Sequence, residues 1–421
     1  MKSNKLLREE RIILYLLAAM QFIHIVDFMI IMPLGETLTR TFDITIQQFS
    51  LLVAAYSLGA GICSLVGAFY IDRFDRKPVL LFLFFGFLLG TLFCGLSPTY
   101  EILLTSRILT GAFGGVLAGL LLSVLGDVVP NERRGKAMGV LMAAFSLAAI
   151  LGVPLGLYLS AQFNWHTPFF GLAGLGVVIL VGVWRFIPSL RGHLEQGQLR
   201  ESPLQIIGNV LRSANQKRAS IFYMLLIFGQ LLMIPFIAPF MEINVGFSKH
   251  QVLLVYTVGG MATFFSAPLI GHLVDRFGRA KIFTILVFCS LVPMLWVPNL
   301  GPEVVMGYMA TTLVFVFFSG RMIPATTMMT SAVDQQHRGS FMGISTSMRE
   351  LTMGLASFTG GLIIVENTEG LLQNYHYAGF IAVAISLIAI PIGRRLRIMD
   401  EAPPAKNLES KISEPQANPV K

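Results

Sequence analysis

The chain has 421 residues, of which 54% are hydrophobic and only 13% charged, with a mean hydropathy of +0.71. A soluble globule carries roughly a quarter charged residues, so a water-coated domain is excluded and a membrane protein is implied. The net charge of +8 does not signal nucleic acid, because Lys and Arg are scattered over short loops and form no patch.

Twelve apolar runs reach the length of about 20 residues that a membrane-crossing helix needs. Span 1, 12–35, follows a basic tail and carries Gln21, His24 and Asp27 at intervals of three, which puts them on one helix face. Its length, its Asp27 and the eleven later spans argue against a removable leader. Spans 2 and 3, 48–70 and 78–97, flank the charged turn GAFYIDRFDRKPVL, which holds Asp72, Arg73, Asp75, Arg76 and Lys77. Span 4, 101–127, contains Arg107 and ends at Asp127. Span 5, 137–161, follows RRGKAMG and strings Gly139, Ala143, Ala144, Ala148, Ala149, Gly152 and Gly156 around Pro154. That composition predicts a helix broken at the proline, whose small residues pack closely against span 8. Span 6 covers 168–188, and a polar, basic stretch at 189–218 follows it.

Spans 7 to 12 fall at 219–242, 250–272, 280–298, 304–331, 340–365 and 376–393. The charged turn returns between spans 8 and 9 as GHLVDRFGRAKI, with Asp275, Arg276 and Arg279, and Asp275 minus Asp72 is an offset of 203. HRGSFMG repeats RRGKAMG at an offset of 204, Arg338 minus Arg134. Two landmarks at one spacing indicate duplicated halves: residues 1–188 and 219–393, joined by a linker at 189–218 and followed by a disordered tail at 394–421. With both termini inside, 31 Lys and Arg minus Arg40, Lys249, Arg107, Arg321 and Arg349 leaves 26 on the cytoplasmic side, the side where positive residues are retained. Cys63, Cys94 and Cys289 lie within apolar runs without metal-ligand or secreted-framework spacing. Three buried thiols and no metal site are expected.

The turn after span 2 resembles the loop signature G-x-x-x-D-R-x-G-R-K of the major facilitator superfamily, with Asp72, Arg73, Arg76 and Lys77 in register. Ala68 and Asp75 stand where the signature has Gly, and Asp75 is expected to adopt the left-handed turn that Asp tolerates. The second copy keeps Gly271 and Gly278. RILTGAFGG, from Arg107 to Gly115, resembles the R-x-x-x-G helix motif of proton-coupled members, and Gly152, Pro154 and Gly156 resemble the antiporter motif of the drug:proton antiporter and arabinose efflux permease branch. The resemblance implies an all-α membrane protein of twelve transmembrane helices, arranged as two pseudo-symmetric six-helix halves around a central cavity lined by spans 1, 4, 7 and 10. It also implies a multi-pass, monomeric protein of the bacterial inner membrane.

Asp72 is then expected at the start of span 11 near Gly339 and Ser340, and Asp275 at the start of span 5 near Gly135, each carboxylate meeting a helix N-terminus when the cytoplasmic side closes. Arg73, Arg76, Arg276 and Arg279 would pair nearby acids such as Asp127 in this latch. Intramembrane charges are costly and point to function or pairing. Asp27 and Arg107 both fall about 10–12 Å below the outer boundary at 1.5 Å per residue, so they are expected to pair, with His24 one turn away as a proton relay. Arg321 and Glu350 are expected to pair within the second half, leaving Arg349 over. Gln21, Gln230, Arg321, Arg349 and Glu350 join Asp27, Arg107 and His24 as cavity residues.

The expected function is export of a small organic compound by alternating access driven by protons, with the lipid bilayer as surroundings. There is no G-x-x-x-x-G-K-[ST] sequence, nucleophile–base pair or metal cluster, so neither an enzyme nor a cofactor is expected. Two alternatives stand beside export. One is proton-coupled or facilitated uptake of an anionic metabolite or metal chelate, which three Arg against two acids in the spans would suit. The other is a membrane receptor or sensor without turnover.

Overall fold

The computed structural model describes residues 8–191, 203–333, 338–397 and 399. Twelve long helices run back and forth: span 1 Arg8–Ile30, span 2 Ile46–Gly67, span 3 Arg76–Leu96, span 4 Tyr100–Val128, span 5 Asn131–Gln162 and span 6 Thr167–Phe186. In the second half come span 7 from Ala214 to Ile243, span 8 Lys249–Phe277, span 9 Arg279–Trp296, span 10 Val304–Ser331, span 11 Arg338–Ile363 and span 12 Tyr375–Arg394. Eleven are long and apolar enough to cross a membrane. Span 11 is long enough, but Arg349, Glu350 and its many hydroxyl residues make it the most polar of the set. Two helices were not foreseen from the sequence. Gly35–Phe42 lies at the end of the bundle far from the termini, and Pro203–Arg212 lies in the linker and seats Val210 against Ala219, Met329 and Phe341.

Local signals explain the helix starts. Thr45 and Gln48 form a reciprocal capping box at span 2, and Ser248 and Gln251 form another at span 8, satisfying N–H groups the helix leaves unpaired. These boxes are 203 residues apart, the offset of the charged turn. Asp75 caps span 3 by accepting from the Lys77 amide at 3.0 Å, and its φ of −57° is ordinary. The expectation of a left-handed Asp75 is therefore corrected: a side-chain cap replaces the glycine, whereas Gly278 in the second copy does take φ +89°. In span 5 the helix is not broken at Pro154. The proline lacks an N–H and its ring crowds the carbonyl four residues back, and the chain absorbs this as a π turn over Ala148–Gly152.

One apolar core crosses between the halves, and it lies at the far face. There Ile30, Ile31, Leu34, Leu38 and Phe49 pack with Met233, Phe236, Ile237 and Phe240, all fully or nearly fully buried. Toward the terminal face the cores separate, one within spans 1 to 6 and others within spans 7 to 12. Spans 2 and 11 remain in contact from Gln47, whose Nε2 donates to the Ile364 carbonyl at 3.4 Å, to Ser64, whose Oγ donates to Ser347 Oγ at 2.8 Å. By contrast, a Cβ placed on Gly119, Gly126, Gly139, Gly271 or Gly343 would meet nothing within 4 Å among the described residues. Among the described residues, the apolar contact between the halves is thus concentrated at the far face.

The seam between spans 5 and 8 differs in detail from expectation. Gly260 approaches the Ala149 carbonyl, its Cβ position lying 2.9 Å away, but Gly152 and Gly156 face span 1, where their Cβ positions fall 2.2 Å from Val26 and 2.6 Å from Ile30. Gly259 faces Phe315 of span 10. The π turn rotates the helix, so small residues on one sequence stripe serve two neighbours. Of the cysteines, Cys94 is buried, while Cys63 and Cys289 are only half-buried; lipid-facing helix surfaces accept a thiol as readily as the core does.

Candidate functional site

Four helices bring a charged pair together inside the first half. Arg107 Nη1 donates to Asp27 Oδ2 at 2.9 Å and to the Asp27 carbonyl at 3.2 Å, and both side chains are fully buried. Thr91 of span 3 donates to the other carboxylate oxygen at 3.0 Å. The Arg107 guanidinium lies over the Tyr56 ring of span 2, 4.5 Å from its centroid, a cation–π contact strengthened where water is excluded. Small residues let the helices approach this closely: the Cβ position of Gly111 lies 2.0 Å from the Tyr56 carbonyl and that of Gly90 lies 2.4 Å from Thr110 Oγ1.

His24 sits one turn toward the terminal face, buried, with its ring 5.7 Å from Phe87 and 6.2 Å from Tyr56. Neither of its ring nitrogens, nor the Tyr56 hydroxyl, has a hydrogen-bond partner among the described residues. Buried polar groups are normally paired, so this cluster marks a place where a proton, water or ligand group is to be met. Gln21 follows on the same helix, buried. Across the interface, the charges of Arg349 and Glu350 on span 11 act on His24 and Tyr56. Gln230 is half-buried in span 7.

The structure does not bring Arg321 and Glu350 together. Arg349 Nη2 donates to Glu350 Oε1 at 2.7 Å. Arg321 is fully buried inside the second half, where its Nη1 donates to Ser386 at 2.8 Å and to Ser290 at 3.4 Å, its Nη2 donates to the Leu226 carbonyl at 3.5 Å, and Phe318 lies 4.6 Å beneath it. No carboxylate pairs with it among the described residues. The expected pair rested on equal depth alone; depth does not fix azimuth, and span 10 turns Arg321 toward spans 9 and 12. Arg349, expected to be left over, holds the glutamate instead.

In the charged turns, Arg76 is fully buried and its Nε donates to Asp127 Oδ2 at 3.1 Å, tying spans 3 and 4. Arg73 and Arg276 lie 5.6 Å and 5.2 Å from the Tyr70 and Phe277 ring centroids, and Arg279 donates to Ser331 at 2.7 Å. Asp275 is exposed, and no described contact joins it to Gly135. The side chains of Asp72, Gly339 and Ser340 lie outside the described residues. Asp75 accepts from Ser189, the Leu190 amide and Arg191 as well as Lys77. Burial acts to raise its pKa, but these hydrogen bonds outweigh it and hold the carboxyl well below the usual range. No group of three or more His, Cys, Asp or Glu suited to a metal occurs among the described residues.

Residues 17–236 and 219–418 each match the family model described as Major Facilitator Superfamily, repeating the two halves seen in the helices. The putative transporter AraJ of Escherichia coli (strain K12) is 24% identical over 349 residues, covering 82% of this chain and 85% of AraJ. Among solved structures, a bacterial homolog to the human lysosomal transporter Spinster, in an inward-facing and occupied conformation, superposes with a TM-score of 0.73 at 15% identity, covering 95% of this chain and 100% of that one. A D-xylose-proton symporter gives 0.72 at 17% identity, covering 93% and 98%. The chain belongs to the Major Facilitator Superfamily, and is a multi-pass membrane transporter and not an enzyme.

Proposed function

We propose that the protein exports a small organic compound across the bacterial inner membrane in exchange for protons, with Asp27 as the coupling carboxylate, Arg107 as the cation that tunes it and His24 as the relay. The observation that carries this reading is the fully buried Asp27–Arg107 contact beside a His24 that has no hydrogen-bond partner among the described residues. A carboxylate held by a single cation and one hydroxyl changes its proton affinity when either partner moves or water enters, and rocking of the halves supplies that change. The terminal face, where the basic residues gather, is the cytoplasmic one. A shared apolar core at the far face is what a state turned inward would keep. In the closed cytoplasmic state Asp72 and Asp275 would reach helix starts in the opposite half. One chain supplies both halves, so a monomer makes a complete transport unit.

Arg321 bears on the substrate. With it committed to hydroxyls and a carbonyl inside the second half, the charged groups near the centre, among the described residues, are two Arg and two acids, Arg107 and Arg349 with Asp27 and Glu350. This balance favours an uncharged or weakly charged compound over the anionic metabolite or chelate of the uptake reading. The test is a metabolite and toxin screen of cells with and without the protein, followed by transport of any hit in everted vesicles. Hit accumulation should collapse when an ionophore removes the pH gradient; accumulation at an unchanged rate would contradict proton-driven export.

A further inference from the structure

At the far face a second pair of acidic groups spans the two halves. The helix Gly35–Phe42 leans on the last turn of span 7, with the Gly35 Cβ position 2.6 Å from Pro239. This contact sets the Glu36 and Glu242 side chains on the wall of one vestibule. Glu36 is only 8% exposed at its side chain and is also paired with Arg40 on its own helix. Both glutamates line a vestibule of about 470 Å³ to which Asp43 adds further acid, as do Glu366 and Glu369 of the short antiparallel hairpin Val365–Glu366 and Leu372–Gln373 between spans 11 and 12. From span 8, Lys249 and Tyr256 lie within electrostatic reach of Glu242, and the Tyr256 hydroxyl has no hydrogen-bond partner among the described residues. Five carboxyls thus stand against the cations Arg40 and Lys249.

We propose that a single proton shared between Glu36 and Glu242 holds the far-face gate shut. Two carboxylates in contact repel, and one proton between them turns the repulsion into a charge-assisted hydrogen bond joining the halves. Arg40 fixes Glu36 as the acceptor, so Glu242 carries the proton. Opening the far face separates the two carboxyls, hydrates Glu242 and lets the proton leave to the far-side solvent; closing again requires it back. The gate is thereby sensitive to far-side pH by a device separate from Asp27 and independent of substrate.

The test uses the full chain with Cys63, Cys94 and Cys289 replaced, and spin labels at Thr41 and Thr368, exposed positions on opposite sides of the gate. In reconstituted bilayers the short-distance, closed population should be at least about twofold larger at about pH 5 than at about pH 9. Glu242→Gln and Glu36→Gln each keep a donor–acceptor contact without the repulsion, so either should remain closed at both pH values. An unchanged distribution in the wild-type chain overturns the proposal without reliance on any variant, as does a wild-type pH response in both Gln variants. Asp27→Asn should keep the response; its loss there would assign the response to Asp27 and overturn the gate while leaving the coupling site standing.

Discussion

Asp27 and Arg107 are each other's main compensation for burial, which makes their variants unequal. Arg107→Ala leaves a buried carboxylate with only Thr91, and breaking a buried pair from one side costs about 3–5 kcal/mol. A large fall in melting temperature in detergent is expected. Asp27→Asn keeps an acceptor and a similar shape, so it should melt closer to wild type, and Thr91→Val should cost about 1 kcal/mol for one lost hydrogen bond. Arg321 behaves differently. Because Arg321 has hydroxyl and carbonyl partners and no acid among the described residues, Arg321→Met should fold well, and charge-swapping Arg321 with Glu350 should rescue nothing. Restoration by that swap in a thermal-stability assay would contradict the separate environments described above. The Asp27–Arg107 contact was legible from matched depth and the family resemblance; the partners of Arg321 were not, because periodicity gives depth along a helix and leaves its rotation open.

Element-scale behaviour follows from how closely glycines approach their neighbours. A methyl group at Gly152 would lie 2.2 Å from Val26 Cγ2, and at Gly260 it would meet the Ala149 carbonyl at 2.9 Å. Overpacking of this kind costs about 1–3 kcal/mol, so Gly152→Ala and Gly260→Ala should lower stability, while Gly139→Ala, in open space, should not. Asp75 offers a pH-dependent counterpart at the junction of spans 3 and 6. Its folded pKa is depressed, so its contribution is full above the unfolded value of about 3.9 and is lost as pH falls through the folded one. Hydrogen exchange at the Leu190 amide should be faster in Asp75→Asn at neutral pH, with the difference shrinking only below about pH 4. The twelve spans were readable because apolar runs of that length have few other destinies. The π turn was hidden: Pro154 announces a disturbance, but whether the helix breaks or bulges depends on tertiary packing. The paired capping boxes Thr45–Gln48 and Ser248–Gln251 carried a signal, T-x-x-Q and S-x-x-Q at the repeat offset, that would have reinforced the duplication.

At the scale of the whole molecule, the apolar core shared at the far face and the separate cores toward the terminal face, among the described residues, fit one state of a two-state rocker. Accessibility should follow. In a chain without native cysteines, a cysteine at Gly139 or Gly343 should react with a water-soluble maleimide from the terminal face, whereas one at Leu34 or Phe236 should be protected. Equal protection at all four would mean that the halves are closed on both sides. Two-half architecture was visible in the repeat, but the resting state was not, since a sequence compatible with both states carries no marker of which is lower in free energy.

Asp27 as the coupling carboxylate is tested most directly in proteoliposomes with a pH indicator inside, using a transported compound found by the screen. Wild-type vesicles should move protons when the compound is added. Asp27→Asn should abolish that movement while the purified protein still binds the compound, and His24→Ala should only slow it. Substrate-driven proton movement in Asp27→Asn at the wild-type rate and pH dependence would contradict the account and leave Asp27 a structural partner of Arg107.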